Sequence, residues 1–380
     1  MLNAGRYLWI HAGQRREEVV QHLLGRRIES SAPRALFDPG LAGAVVMLSV
    51  VAGLERDQVA VVCEPHLGLS LQMLVTRRQV LTSYGRVPRL PARWGDGTAD
   101  TLLLMAIGLR SIHIYPVKSM RGCNLTEGDV EPWGLEHDRR WVVLSPDGSR
   151  LSAREDRRML SLSAMAQDDG GLTLVAPGGS TIEVRAPVSG EFAPTSISRL
   201  GVVRLADSTA HEWLSARLGG SVRLGWLDDP RRRPVSPAHG GREGEPLSLA
   251  DAGPLLLTSE TSLRQLNAWM SESPEHPDQP VGPAAMMRFR PNVVVGGIDE
   301  PFAEDSWARV RIGEVKLRQA EQCDRCMMTM IEPDTLAQGK EPLRSLARHR
   351  RREGKVWFGI RLIPESTGRI RVGDPVVQLD

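Results

Sequence analysis

Cys323 and Cys326, with Asp324 and Arg325 between them, are the residues of this chain best equipped for chemistry. A thiolate can serve as a nucleophile, a redox centre or a soft metal ligand, and a neighbouring guanidinium lowers the thiol pKa while offering to hold an anion. Three chemistries compete for the pair. Structural zinc needs about four N or S ligands; only one such pair is present, and the next histidine is His349, within a predicted helix. A thioredoxin-type dithiol sits at a helix N-terminus in a βαβ unit, whereas this pair follows a predicted β-hairpin. The third chemistry is a single thiolate bound to a metal that favours soft donors, and its plain alternative is an inert buried cysteine. The remaining cysteines, Cys63 and Cys123, stand alone. Four cysteines in 380 residues exclude a disulfide scaffold and fit a reducing compartment.

The elements that must position this pair read mostly as β. Ile112 and Ile114 alternate with Ser111, His113 and Tyr115, as in a half-buried strand. Trp141 to Leu144, the turn Pro146-Asp147-Gly148 and then Leu151 predict a hairpin. A second hairpin spans 308–318, with Gly313-Glu314 at its turn and Val310, Ile312, Val315 and Leu317 on the apolar side. Short runs at 291–297, 356–360 and 370–377 add strands. Helices are few. One is predicted over 210–218, capped by Ser208 or Thr209 and stopped by Gly219-Gly220. A second carries Leu263, Leu266 and Met270 after a Ser259 or Thr261 cap, and a third begins near Pro342. The pattern predicts a mainly β, α+β protein with barrel-like sheets.

Upstream of Met105 the character differs. Residues 1–104 hold no lysine and no sustained alternation, and two stretches (Glu17–Leu24 and Val45–Leu54) read as weakly helical. The expectation is that Met105 is the biological start and that 1–104 is a poorly structured or mis-annotated extension; a small helical domain is the alternative. The longest apolar stretch, Leu41 to Leu54, is 14 residues, short of the roughly 20 that a membrane span needs. No signal peptide is legible, since Arg15, Arg16, Glu17 and Glu18 precede any long apolar run. Net charge is +2, which removes any bulk-charge case for nucleic-acid binding. With the four lysines set aside, 44 of the 48 basic residues are arginine, a skew attributed to coding composition. The chain is thus expected to be soluble, cytoplasmic and monomeric. A polar loop over 228–241 carries Arg231 to Arg233, whose ordinary reading is a solvated basic patch and whose sharper reading is a contribution to an anionic ligand.

An ordered set of motifs then resembles MOSC-domain proteins. Tyr115-Pro116-Val117-Lys118-Ser119, Gly134-Leu135 and Asp138-Arg139-Arg140-Trp141 look like the family's N-terminal β-barrel segment. Phe289-Arg290-Pro291-Asn292, Glu304-Asp305-Ser306-Trp307, Cys323-Asp324-Arg325-Cys326, Pro333-Asp334-Thr335, Glu341-Pro342-Leu343 and Val372-Gly373-Asp374 are similar to the MOSC domain of the mitochondrial amidoxime-reducing component and its bacterial relatives. The resemblance runs from about Ile112 to Leu379 and implies a β-barrel domain over 105–225 followed by a MOSC domain over 226–380. It implies a molybdenum cofactor (a pterin dithiolene with a phosphate), with Cys326 as the metal ligand and catalytic residue. Lys118, Ser119, Arg139, Arg290, Asn292, Asp324 and Arg325 would contact the pterin or phosphate. Arginine forks and a lysine point charge suit a phosphoryl group. Taken singly, each has an ordinary alternative: Lys118-Ser119 as a strand end, Arg139 or Arg140 stacked on Trp141, Arg290-Pro291-Asn292 as a turn.

The resemblance further implies an oxidoreductase that reduces small N-hydroxylated substrates. No cysteines for a [2Fe–2S] domain follow the motifs, so electrons are expected from a separate donor protein. A carrier or sulfur-transfer module is the alternative. The pyridoxal phosphate domain of related molybdenum cofactor sulfurases is not expected, because residues 1–104 hold no Schiff-base lysine. Two departures bear on the substrate. Ala252-Gly253-Pro254 lacks a hydroxyl that some relatives carry, and Phe358-Gly359-Ile360-Arg361 stands where relatives often read Phe-Gly-Gln followed by Tyr or Asn, so the extra positive charge of Arg361 is expected to reshape the substrate mouth.

Overall fold

The hairpin around Gly313 shows how closely the strand pattern is followed. Val310, Ile312, Val315 and Leu317 are all buried. Ile312 faces Val315 across the two-residue turn, where Gly313 takes a φ of 56° beside the Asp374 side chain. A left-handed first turn position suits glycine.

The computed structural model describes residues 6–11, 45–51, 58–65, 71–76, 107–272 and 283–379. The chain divides into two units, residues 1–95 and 96–380. In the first, the strands Arg6–His11, Val45–Val51, Gln58–Pro65 and Leu71–Thr76 form an antiparallel meander. The Val45–Leu54 stretch, predicted helical, is therefore extended through Val51; four valines among its first seven residues favour a strand over a helix. Glu17–Leu24 and Met105 lie outside the described residues.

The second unit is mainly β with three α-helices among the described residues: α1 (Ser208–Leu218), α2 (Glu260–Ser271) and α3 (Leu343–His349). Its largest sheet runs, in spatial order, through Val376–Leu379, Arg309–Ile312, Val315–Asp324, Lys355–Pro364, Leu255–Ser259, Val293–Gly296, Gly108–Ile114 and Cys123–Leu125. The path is open, but Leu109 N donates to Asp374 O (2.9 Å) and Val376 N to Ile107 O (2.8 Å), so a short bridge joins the approach to the strand Val376–Leu379 at one end to the start of Gly108–Ile114, next to last at the other. The enclosed side chains (Ile112, Leu257, Val293, Ile312, Ile360 and Leu362 among them) form one apolar cluster. Alternation predicts the buried face of the hairpin around Gly313, but the 111–115 strand is not half-buried as expected: His113 and Tyr115 are buried along with Ile112 and Ile114, because both faces of this strand are covered.

One pair in that sheet, Leu255–Ser259 with Val293–Gly296, is parallel, and α2 is part of the connection between them. Ser259 caps α2 by accepting from Ser262 N. At α1 the N-cap is Asp207, one residue before the predicted Ser208 or Thr209, and Gly219 closes the helix in a left-handed turn. Two smaller sheets, Ser163–Ala166/Leu172–Val175/Thr181–Val184 and Phe192–Pro194/Val202–Leu205/Arg223–Trp226/Trp141–Leu144, cover a separate core containing Trp141, Met159, Leu174 and Leu214.

Candidate cofactor site

Lys118 N donates to Trp141 O (2.8 Å), Trp141 N to Pro116 O (3.0 Å) and Arg139 N to Tyr115 O (3.0 Å), so the segments 115–118 and 139–141 run side by side. Ser119, Arg139 and Arg290 all adopt left-handed backbone, with φ of 68°, 48° and 56°. Such a conformation costs a non-glycine residue roughly 1–3 kcal/mol and concentrates where function requires it. Tyr115 is sandwiched by two cations, Arg139 at 4.6 Å and Arg290 at 4.1 Å from its ring, and its hydroxyl donates to Pro291 O (3.1 Å). Neither arginine of the Arg139-Arg140 pair stacks on Trp141; Arg140 lies over Trp133 and Trp226 instead.

Asn292 ties these turns together. Its Oδ1 accepts from Leu256 N and from Arg139 Nη1 (3.1 Å each), and its Nδ2 donates to His113 O (3.2 Å). At 1% exposure it holds the frame rather than presenting a free amide. Ser119 is also buried. Arg139 adds a 2.5 Å pair with Asp138 and a bond to Arg290 O, and Arg290 donates to Met120 O (2.7 Å).

Lys118 is 7% exposed, and its ammonium donates to Leu249 O (2.7 Å) and to Asp251 Oδ1 (2.6 Å). Burial pushes it down to about 8 against the upward pull of Asp251. The charge of Lys118 holds Asp251 far below the ordinary carboxylate range, with Arg154 and Arg139 contributing. Burial, then repulsion from Arg139, brings Arg290 down to about 10. Of the loop arginines, Arg231 is exposed and Arg232 pairs with Asp228, but Arg233 is buried and donates to the carbonyls of Ser198, Ser248 and Ala250. The solvated-patch reading thus fails for Arg233, because three carbonyls replace its water.

The two thiols diverge. Cys326 is exposed and accepts from Arg154 Nη2 at 3.4 Å. Cys323 is buried and accepts from Arg325 Nη1 at 2.9 Å. Arg325 is thus turned toward the inner sulfur, anchored by a 2.5 Å bond to Phe289 O, and its Nε is buried with no hydrogen-bond partner. Burial disfavours the Asp324 carboxylate, yet the hydrogen bond and charge of Arg361 hold it below its ordinary value. Arg361 also pairs with Glu321 and is 12% exposed, so its charge is neutralised in place and is not presented as a free cation at a substrate mouth.

Sequence reasoning missed Arg154 and Asp251. Arg154 had a local signal: it lies in a Ser-x-x-Glu turn in which Glu155 Oε2 accepts from both Ser152 N (2.8 Å) and Ser152 Oγ (2.5 Å), while Ser152 Oγ accepts from Arg154 N (3.3 Å). Asp251 had none, since only the fold sets it on Lys118. Asp251 and Arg154 are also what connect the separate motifs: Arg154 touches Cys326 and shares the field of Asp251 with Lys118 and Arg139. Lys118, Arg139, Arg150, Arg154, Arg233 and Arg290 thus interact with three carboxylates, Asp138, Glu155 and Asp251, within one set of coupled charges. Such an excess of cation, ending at an accessible thiol, suits a ligand with an anionic tail and a thiophilic head.

Family comparison agrees with this architecture. The MOSC domain model matches residues 244–377, and the MOSC N-terminal beta barrel domain model matches 106–221. Mouse mitochondrial amidoxime-reducing component 1 is 32% identical over 286 residues, covering 70% of this chain and 80% of the relative. A rice (Oryza sativa subsp. japonica) molybdenum cofactor sulfurase is 31% identical over 272 residues, covering 67% of this chain but 32% of that protein. Among solved structures, the YUAD protein of Bacillus subtilis aligns over 71% of this chain and 94% of its own, at 13% identity and a TM-score of 0.32. The chain belongs to the MOSC-domain family, in the form that carries the N-terminal beta barrel domain ahead of the MOSC domain. Among the described residues, no helix is long and apolar enough to cross a membrane.

Proposed function

We propose that this protein binds the molybdenum cofactor and reduces small N-hydroxylated compounds, with electrons from a separate donor protein. The observation that carries the reading is the exposed Cys326 thiol beside Arg154, at the edge of a cation set that its own carboxylates leave under-neutralised. The names of the relatives, amidoxime-reducing components and molybdenum cofactor sulfurases, support the cofactor class.

Lys118, Arg139 and Arg290 would hold the phosphate, and Cys326 would complete the metal's ligation, as a soft donor suits a sulfur-rich centre. When bound, the cofactor supplies the two-electron chemistry that converts an N–OH group and two protons into N–H and water. The chain's own residues do the rest. Asn292 and Asp138 fix Arg139, the left-handed turns aim the cations inward, and Arg154 steadies the thiol. Asp324 stays ionised on Arg361 and keeps the turn of the cysteine pair in place. We place the protein in the cytoplasm as a soluble monomer with no nucleic-acid partner. Cofactor loading is tested by purification from a molybdenum-replete host, with metal and pterin assayed, and turnover by benzamidoxime reduction with a chemical donor. Stoichiometric metal and turnover, both lost in Cys326→Ala, are the expected results; turnover that survives Cys326→Ala refutes the ligand assignment. Bound cofactor without turnover would favour the carrier reading.

A further inference from the structure

Lys118 and Asp251 form an unequal pair. The ammonium side is 9% exposed and fixed by a second bond to Leu249 O, while the carboxylate side is 59% exposed. Leu249 is itself fastened by its N–H to Arg139 O (2.8 Å), and its neighbours Ser248 and Ala250 are held through their carbonyls by Arg233. The cations are therefore built into the frame, and the carboxylate is the half that can rotate away. Asp251 also lies within the fields of Arg154, Arg139, Arg233 and Arg290. One exposed carboxylate thus partly neutralises a set of mostly buried cations, the arrangement of an anion site occupied by a side chain of its own.

We propose that Asp251 is the resident counter-anion of this site and that a phosphorylated ligand binds by displacing its carboxylate from Lys118. The inference rests on the reading that this cation set takes a phosphorylated cofactor, and it adds a displaceable counter-ion to that reading. In the empty protein the carboxylate keeps the Lys118 ammonium charged and the cation set from binding stray anions. On loading, the ligand's phosphate takes over the bond to Lys118 Nζ, and Asp251 turns outward. The ion pair within the chain is exchanged for one with the ligand, with no net loss of charge pairing.

The full chain, purified from a host that cannot make the pterin, is titrated with inorganic phosphate by calorimetry. Asp251→Asn keeps the shape of the side chain and removes its charge. It is expected to bind phosphate at least tenfold more tightly than the unmodified protein, whereas Lys118→Met binds it at least tenfold more weakly. Asp251→Ala is run in parallel, with far-ultraviolet circular dichroism as the folding check, and is expected to tighten binding likewise. If phosphate binds and the Asp251 variants match or fall below the unmodified protein, Asp251 is a supporting partner of Lys118 and the displacement model is wrong. If neither the unmodified protein nor the folded Asp251 variants bind phosphate, the cation set is not an anion site, and the reading beneath the proposal falls with it.

Discussion

Glu304 and Lys118 are both ionisable side chains withdrawn from water, and the molecule treats them in opposite ways. Glu304, fully buried, accepts from Ser262 Oγ (2.7 Å); the single Ser259 hydroxyl proton is shared between Ser262 Oγ (2.7 Å) and Glu304 Oε2 (3.2 Å), while Ser262 N donates to Ser259 Oγ and Phe302 N to Ser262 Oγ. Burial raises its pKa despite those hydrogen bonds, so the carboxyl is biased toward its neutral form. That network is closed and belongs to the architecture, tying the start of α2 to the turn at Ala303–Ser306. Lys118 faces a single exposed carboxylate amid further cations. A buried network whose donors and acceptors match holds a fold together. One whose charges do not match is poised for something that is not protein.

Mutation can break this comparison. Glu304→Ala leaves the buried Ser262 hydroxyl without its acceptor and opens a void, and is expected to cost about 3 kcal/mol in urea unfolding. Glu304→Gln should recover most of that. Because the raised pKa stabilises the fold at low pH and that contribution is lost as pH rises through it, any advantage of Glu304→Gln over the natural residue should appear at pH 7 and vanish at pH 4. Because Asp251 stays open to water once its partner is gone, Lys118→Met, by contrast, is expected to change stability by no more than about 1 kcal/mol. Equal losses for Glu304→Ala and Lys118→Met would erase the distinction.

A somewhat smaller effect is expected at Gly134, whose φ is 116° and where an added Cβ would lie 2.5 Å from Pro254 O. Gly134→Ala should cost about 2 kcal/mol and loosen the segment that carries Asp251. The pH dependence of anion binding sharpens the charge side of the comparison. With sulfate as a probe that does not titrate in this range, affinity should be full below pH 7 and fall as Lys118 loses its proton through about 8. Arg233 and Arg290 titrate only at about 10, and Asp251 far below neutrality. A flat sulfate profile from pH 6.5 to 9.5 would remove Lys118 from the site. The smallest change is expected for Arg361→Gln. Because Glu321 and Asp324 already neutralise this guanidinium, kcat/KM for benzamidoxime should shift less than about threefold.

Much of the frame was legible in the linear chain. Alternation marked the strands around Ile112, Val310 and Leu317, a Ser259 cap and a Gly219 stop bounded two helices, and the cysteine spacing marked the chemically capable turn. These are local signals, because backbone hydrogen bonding and the burial of one strand face repeat over a few residues. The Val45–Val51 strand was misread, since a short apolar run satisfies either period and only its pairing decides.

The resemblance of the ordered motifs to MOSC-domain proteins was enough to nominate Lys118, Arg139, Arg290 and Cys326. Which partner each would meet was decided by tertiary structure alone. Arg325 turns to the inner thiol and Arg154, from 172 positions away, to the outer one; Asn292 spends its amide on the frame; Asp251, 133 positions from Lys118, becomes its counter-ion. Charge pairing acts through space within a few ångströms, and contacts closed across more than a hundred residues leave no periodic trace in the chain that makes them.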